Sequence, residues 1–152
     1  MAIVETLRFP VRSHWFGGRL LRLGEPTKPD LLIGTPPEFQ DGIAGIWSPE
    51  DLLVGALASC YELTLLALAE GRGVPVHALD VAATGQLERS PGADGLTVVE
   101  LDVELVTDPE HELELEELAR VAKEHSIVGR ALAVPVRLRV ESQARSREAV
   151  PA

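Results

Sequence analysis

The chain has 152 residues, 45% of them hydrophobic, and a formal net charge of −10 with a pI ≈ 4.8. That length and apolar content suit one globular domain with a sizeable core and exclude a disordered chain. The acidic balance argues against nucleic-acid and anionic-membrane partners, which need a basic face, and a single cysteine excludes an intramolecular disulfide framework.

Met1 to Arg8 carries no apolar h-region or cleavage pattern, so cytoplasm is the expected compartment. Ile3 to Leu23 reads as extended chain with a hairpin turn at Gly17-Gly18. Gly24 to Gly45 is rich in Pro and Gly. It holds a short strand at Leu31-Leu32-Ile33 and then a long loop around Thr35-Pro36-Pro37.

Ser48-Pro49-Glu50-Asp51 has the chemistry of a helix start: an N-cap, a proline at the first helical position and two acids facing the dipole. The helix is expected from about Pro49 to Glu70, with Gly71, Gly73 and Pro75 ending it. Its apolar run Leu52–Ala69 is about membrane length, but Glu62 interrupts it and Glu50, Asp51 and Glu70 flank it, so a buried soluble helix is expected. A helix apolar on nearly every side must be wrapped on nearly every side. Gly55 and Ser59 offer a small-residue face for close contact, and the expected solution is a homodimer with this helix near the interface.

Val76–Leu87 and Leu96–Val106 read as strands joined by a turn over Ser90–Gly95. Asp108-Pro109 repeats the cap-plus-proline start, and Leu115, Leu118, Val121 and Ala122 form an apolar helical stripe. The acids Glu110, Glu112, Glu114, Glu116 and Glu117 suit a solvated helix face. Gly129 marks a bend, Val134–Val140 a last strand, and 142–152 a polar C-terminal tail after a single domain over 1–141. Strands, helix, strands, helix, strand is an α+β order, not a doubly wound one.

Most catalytic templates are missing. There is no CxxC, HExxH, GxGxxG or phosphate-binding loop, and His14, His77, His111 and His125 fall at no metal-ligand spacing, so no metal or cofactor is expected. Cys60 remains, placed by the helix deep among Leu53, Ala56, Leu57, Leu63 and Ala67. It is either an inert small hydrophobe or a protected reaction centre. Reactivity requires a partner that favours thiolate, since a thiol of pKa about 8.5 is only a few per cent ionised at neutral pH. The helix N-terminus is too far away to supply it.

Ser48-Pro49-Glu50-Asp51-Leu52-Leu53 through Ala58-Ser59-Cys60-Tyr61 resembles the Asn-Pro-Glu-x-Leu helix start and Ala-x-Cys-aromatic sequence of the OsmC/Ohr family of thiol-dependent hydroperoxide reductases. Gly17-Gly18-Arg19 resembles that family's glycine turn with its active-site arginine. Glu124 to Leu132 resembles the segment holding its second cysteine. The resemblance spans nearly the whole chain. It implies an OsmC-like α+β fold: an intertwined homodimer in which two long central helices are wrapped by sheets of both subunits. It also implies Cys60 as the peroxide-attacking thiol, Arg19 (or Arg22, should the hairpin register slip) as the activating guanidinium, and Glu50 as the carboxylate that holds it.

One departure is plain: Ser126 stands where the family has its resolving cysteine. A hydroxyl cannot condense with a sulfenic acid to a disulfide. The expected function is reduction of organic hydroperoxides in oxidative-stress defence by a one-cysteine route using an external thiol. The alternative is a non-catalytic OsmC-like dimer that binds an apolar small molecule. Trp15, Phe16, Phe39 and Trp47 are candidates for lining an apolar pocket, or for ordinary packing.

Overall fold

Ser48 does what its position implies. In a computed structural model, which describes residues 5–145, the Asp51 N–H donates to Ser48 Oγ (3.1 Å) and the Ser48 N–H donates to the Asp51 carboxylate (2.8 Å). This reciprocal capping box, followed by Pro49, starts helix α1, Pro49–Arg72. The chain divides into two compact units, Met1–Leu52 and Leu53–Ala152.

The first unit is an antiparallel sheet of β1 (Arg12–Gly17), β2 (Leu20–Glu25) and β3 (Lys28–Gly34), in that order. The β1–β2 turn falls on Gly18-Arg19, one residue later than expected. Gly17 (φ 122°) and Gly18 (φ 54°) supply the left-handed backbone that a glycine adopts without strain. Strand alternation places Trp15, Leu21, Leu23, Leu31 and Ile33 on one face and Arg12, His14, Arg22 and Leu32 on the other. The following loop is closed by Ile43 N–H to Thr35 O and Gly34 N–H to Trp47 O, both 2.9 Å, which delivers Ser48 beside the end of β3.

In the second unit β4 (Ala78–Glu88) pairs antiparallel with β5 (Gly95–Thr107), and β5 pairs parallel with β6 (Val136–Ala144). A parallel pair needs a long crossover. Helices α2 (Glu112–His125) and α3 (Ile127–Ala131) provide it. The core joins Leu57, Tyr61, Leu65 and Ala69 of α1 to Val99, Leu101, Val103 and Leu105 of β5 and to Leu115, Leu118, Ala119 and Ala122 of α2. Tyr61 is wholly buried. Its hydroxyl donates to Ala119 O at 3.1 Å, and burial raises its pKa far above the ordinary value.

The described chain by itself covers α1 along one stripe: Leu63 is 67% exposed, and Leu53, Leu66, Gly55 and Ser59 are also open. By length and composition α1 would also span a membrane, with a mean hydropathy of 1.9 over its most apolar window, yet its buried stripe belongs to this core. Three other expectations are corrected. Asp108 does not cap a helix. Its carboxylate is taken by His77 Nε2 (2.8 Å), and a short 3-10 turn over Pro109–His111 delays α2 to Glu112. Gly129 is a residue of α3 rather than a bend. β6 runs to Ala144, so 142–144 are strand and not tail, because Leu105, Val106 and Thr107 of β5 still offer them partners; residues 146–152 lie outside the described chain. On α2, the acid face is partly engaged: Glu112 and Glu116 both lie within hydrogen-bond distance of the Ser142 hydroxyl (3.0 and 2.5 Å) and share its one proton.

Ser48→Ala removes one side of the capping box and should lower unfolding free energy by about 1 kcal/mol. Tyr61→Phe should cost about 1 kcal/mol through loss of the buried hydrogen bond from its hydroxyl to the Ala119 carbonyl. Urea denaturation at fixed protein concentration checks both.

Candidate active site

Cys60 is half-buried rather than deep in the core. Burial pushes its thiol pKa up. The Ser126 hydroxyl, the backbone N–H groups of Val128 and Ile127, and the Thr64 hydroxyl pull the other way, and together they leave the thiol below its ordinary value. Proton placement ranks the two hydroxyls. Ser126 Oγ accepts from the Gly129 N–H (3.1 Å), so its own proton is free for the sulfur. Thr64 already donates to the Cys60 carbonyl at 2.7 Å, one helical turn back, and has no second proton to give.

Ser126 is 1% exposed and caps α3, so the amides of Ile127 and Val128 are the unsatisfied donors at the start of that helix. Donors aimed at a sulfur favour its anion. Gly129 keeps the arrangement close, because a Cβ there would come within 3.3 Å of both Ser126 Oγ and Leu57 Cδ1. Cys60 and Ser126, 66 residues apart in sequence, are therefore brought together, with the Ser126 hydroxyl placed to favour the ionised sulfur.

In the first unit, Arg19 and Glu50 line one cavity of ≈ 300 Å³ with Leu21, Ile33, Pro36 and Phe39. Glu50 Oε2 is buried without a hydrogen-bond partner, so one of the residues lining the cavity carries an unsatisfied carboxylate oxygen. Arg22 is committed elsewhere. Its Nε lies 3.6 Å from Asp30 Oδ2 and its guanidinium carbon 5.5 Å from the Phe16 ring centre. Of the four aromatics, Phe39 lines this cavity. Trp15 is 66% exposed with its Nε1–H on Gly18 O (3.1 Å), Phe16 packs on His14, and Trp47 is exposed. Among the described residues no three His, Cys, Asp or Glu side chains converge as a metal site. Helix α1 carries Glu50 in its first turn and Cys60 ten residues later.

A family model described as OsmC-like protein matches residues 42–141. The chain belongs to the OsmC-like family. Among solved structures, an OsmC-like protein of unknown function from Vibrio cholerae aligns with TM-score 0.80 and 19% identity, over 90% of this chain and 100% of that one. An OsmC-like protein from Mycoplasma pneumoniae gives 0.78 and 17%, over 91% and 99%. An organic hydroperoxide resistance protein, OsmC, from Legionella pneumophila gives 0.73 and 20%, over 92% and 100%. At such identities the likeness establishes the α+β OsmC-like fold. No curated protein sequence matches the chain.

Reading this OsmC-like sequence by residue missed Thr64 and the two α3 amides. Thr64 had a signal, since it stands four residues after Cys60 on the same helix face. The amides had none, because a five-residue helix containing Gly129 reads as a break. Ser126→Ala should raise the thiol pKa, and Thr64→Val should move it less. The alkylation rate of Cys60 by iodoacetamide against pH reads this directly: the rate climbs as thiolate forms, with a midpoint below an ordinary cysteine's in the parent and higher in Ser126→Ala.

Proposed function

We propose that this protein is a cytoplasmic, homodimeric OsmC/Ohr-type reductase of organic hydroperoxides that works with one cysteine. The observation that carries this reading is the setting of Cys60, a half-buried thiol whose pKa is lowered by the Ser126 hydroxyl and two backbone amides. The Cys60 thiolate attacks the distal oxygen of ROOH, the O–O bond breaks, and the departing alkoxide takes a proton to leave as ROH. Arg19 steadies the peroxide oxygens and Glu50 orients it as the peroxide binds, roles supported by their shared cavity and by the unused acceptor capacity of Glu50 Oε2. An external thiol then condenses with the Cys60 sulfenic acid, releasing water and forming a mixed disulfide. A second thiol frees Cys60 and leaves as the oxidised disulfide.

The exposed apolar face of α1 supports the homodimer, since Leu53, Leu63 and Leu66 need a cover that the single chain does not provide. The two compact units are read as one OsmC-like domain over 1–141, supported by relatives whose whole chains align across both. A second reading, a binding protein for an apolar molecule, is favoured by the serine at 126.

Alkyl and lipid hydroperoxides supplied with monothiol and dithiol reductants decide between them. Catalysed consumption that vanishes in Cys60→Ser and falls about a hundredfold in Arg19→Ala, with Arg22→Ala near the parent, is the expected result. Mass spectrometry should find one added oxygen on Cys60 and no intramolecular disulfide, whereas Ser126→Cys should divert the product to a Cys60 disulfide. A Cys60 that stays unmodified while exposed thiols oxidise leaves the binding reading. Sedimentation should give a dimer at micromolar concentration; a stable folded monomer there refutes the assembly.

A further inference from the structure

The charged face of the N-terminal sheet is unlike the rest of this acidic chain. Five of the 14 basic residues (Arg8, Arg12, Arg19, Arg22 and Lys28) fall within the first 28 positions, against only Glu5 and Glu25 there. Strand alternation brings three of them together. Arg12 and His14 of β1 stand opposite Gly24 and Arg22 of β2, and Lys28 opens β3. With Asp30 they line a cleft of ≈ 600 Å³ whose remaining walls include Pro10, Val11 and Pro26.

The carboxylates in this cleft are occupied. Glu25 accepts from the N–H and hydroxyl of Thr27 (3.1 and 2.5 Å). Asp30 approaches Arg22 through Nε (3.6 Å). At roughly half exposure that ion pair adds little stability. The guanidinium has Asp30 at its Nε edge and the Phe16 ring on one face, 5.5 Å away, and its Nη edge is the part turned to neither. Gly24 makes this possible, since a Cβ there would overlap Asp30 Oδ1 and drive the carboxylate off.

We propose that this cleft binds the phosphate group of a small phosphorylated molecule. A carboxylate has one plane and is satisfied by one fork. A phosphate monoester carries close to two negative charges and three acceptor oxygens, so it can engage the Arg12 and Arg22 forks and the Lys28 ammonium together. Pro10, Val11 and Pro26 give its organic part an apolar wall. The site is independent of the peroxidase reading, since it uses neither Cys60 nor Glu50.

Titration of the full chain with phenyl phosphate, followed by calorimetry and amide chemical shifts, tests this. One saturable site per chain is expected, with shifts confined to β1–β3 and benzoate binding much more weakly. Arg12→Gln should weaken binding about tenfold. Arg22→Lys keeps the charge but loses the fork, and Gly24→Ala keeps the charge but displaces Asp30; both should weaken binding. If Gly24→Ala fails to fold by circular dichroism, Arg22→Lys carries the comparison alone. Lys123→Gln, outside the cleft, should leave binding unchanged. The proposal is overturned if no saturable site is found at millimolar phenyl phosphate, if benzoate binds equally well, if Arg22→Lys binds as the parent does, or if Lys123→Gln costs as much as Arg12→Gln.

Discussion

The rotational setting of α1 decides what its cysteine can be. Leu57, Tyr61, Leu65 and Ala69 recur every four residues and are wholly buried, so they lock one face of the helix into the core. A helix turns about 100° per residue. Cys60 and Thr64 therefore sit on the rim of that buried stripe, where α1 meets the connection between α2 and α3. A turn in one direction would sink the thiol among leucines, where burial raises its pKa with nothing to oppose it. A turn in the other would leave it in water as an ordinary cysteine. The rim is the place where a sulfur can be partly desolvated and still reached by donors. Each large apolar side chain in the stripe is worth about 2–5 kcal/mol against truncation to alanine, so the setting is strongly held.

The donors depend on a second local decision. His77 takes the Asp108 carboxylate, α2 starts late and ends at His125, and Ser126 then caps a new helix rather than continuing the old one. Its hydroxyl oxygen is satisfied by the Gly129 N–H, which turns the hydroxyl proton outward. A cysteine at the same place would offer only a weak donor. The serine at this place therefore serves the sulfur as a hydroxyl neighbour whose proton is not taken by the cap.

Much of this was legible in the sequence and part was not, for physical reasons. Ser48, Pro49 and Asp51 form local interactions within four residues, so the start of α1 could be read from chemistry alone. The strands showed their alternation, and the α+β order followed. The pairing of Cys60 with Ser126 is non-local, and only the family resemblance pointed to it. For α1, an apolar sequence says that a face needs a cover but not which chain supplies it. Asp108 was misjudged because a cap competes with any other donor in reach, and His77, 31 residues earlier, has no sequence signature as that donor.

The parallel pairing of β5 with β6 has a temporal side. A chain made from its N-terminus emerges with Cys60 long before Ser126, Ile127 and Val128, and the crossover that holds those three is tied down at its far end only when Val136 to Ala144 lie along β5. The donors beside the sulfur thus come from the part of the chain made last, and their position depends on the same strand pairing that completes the sheet.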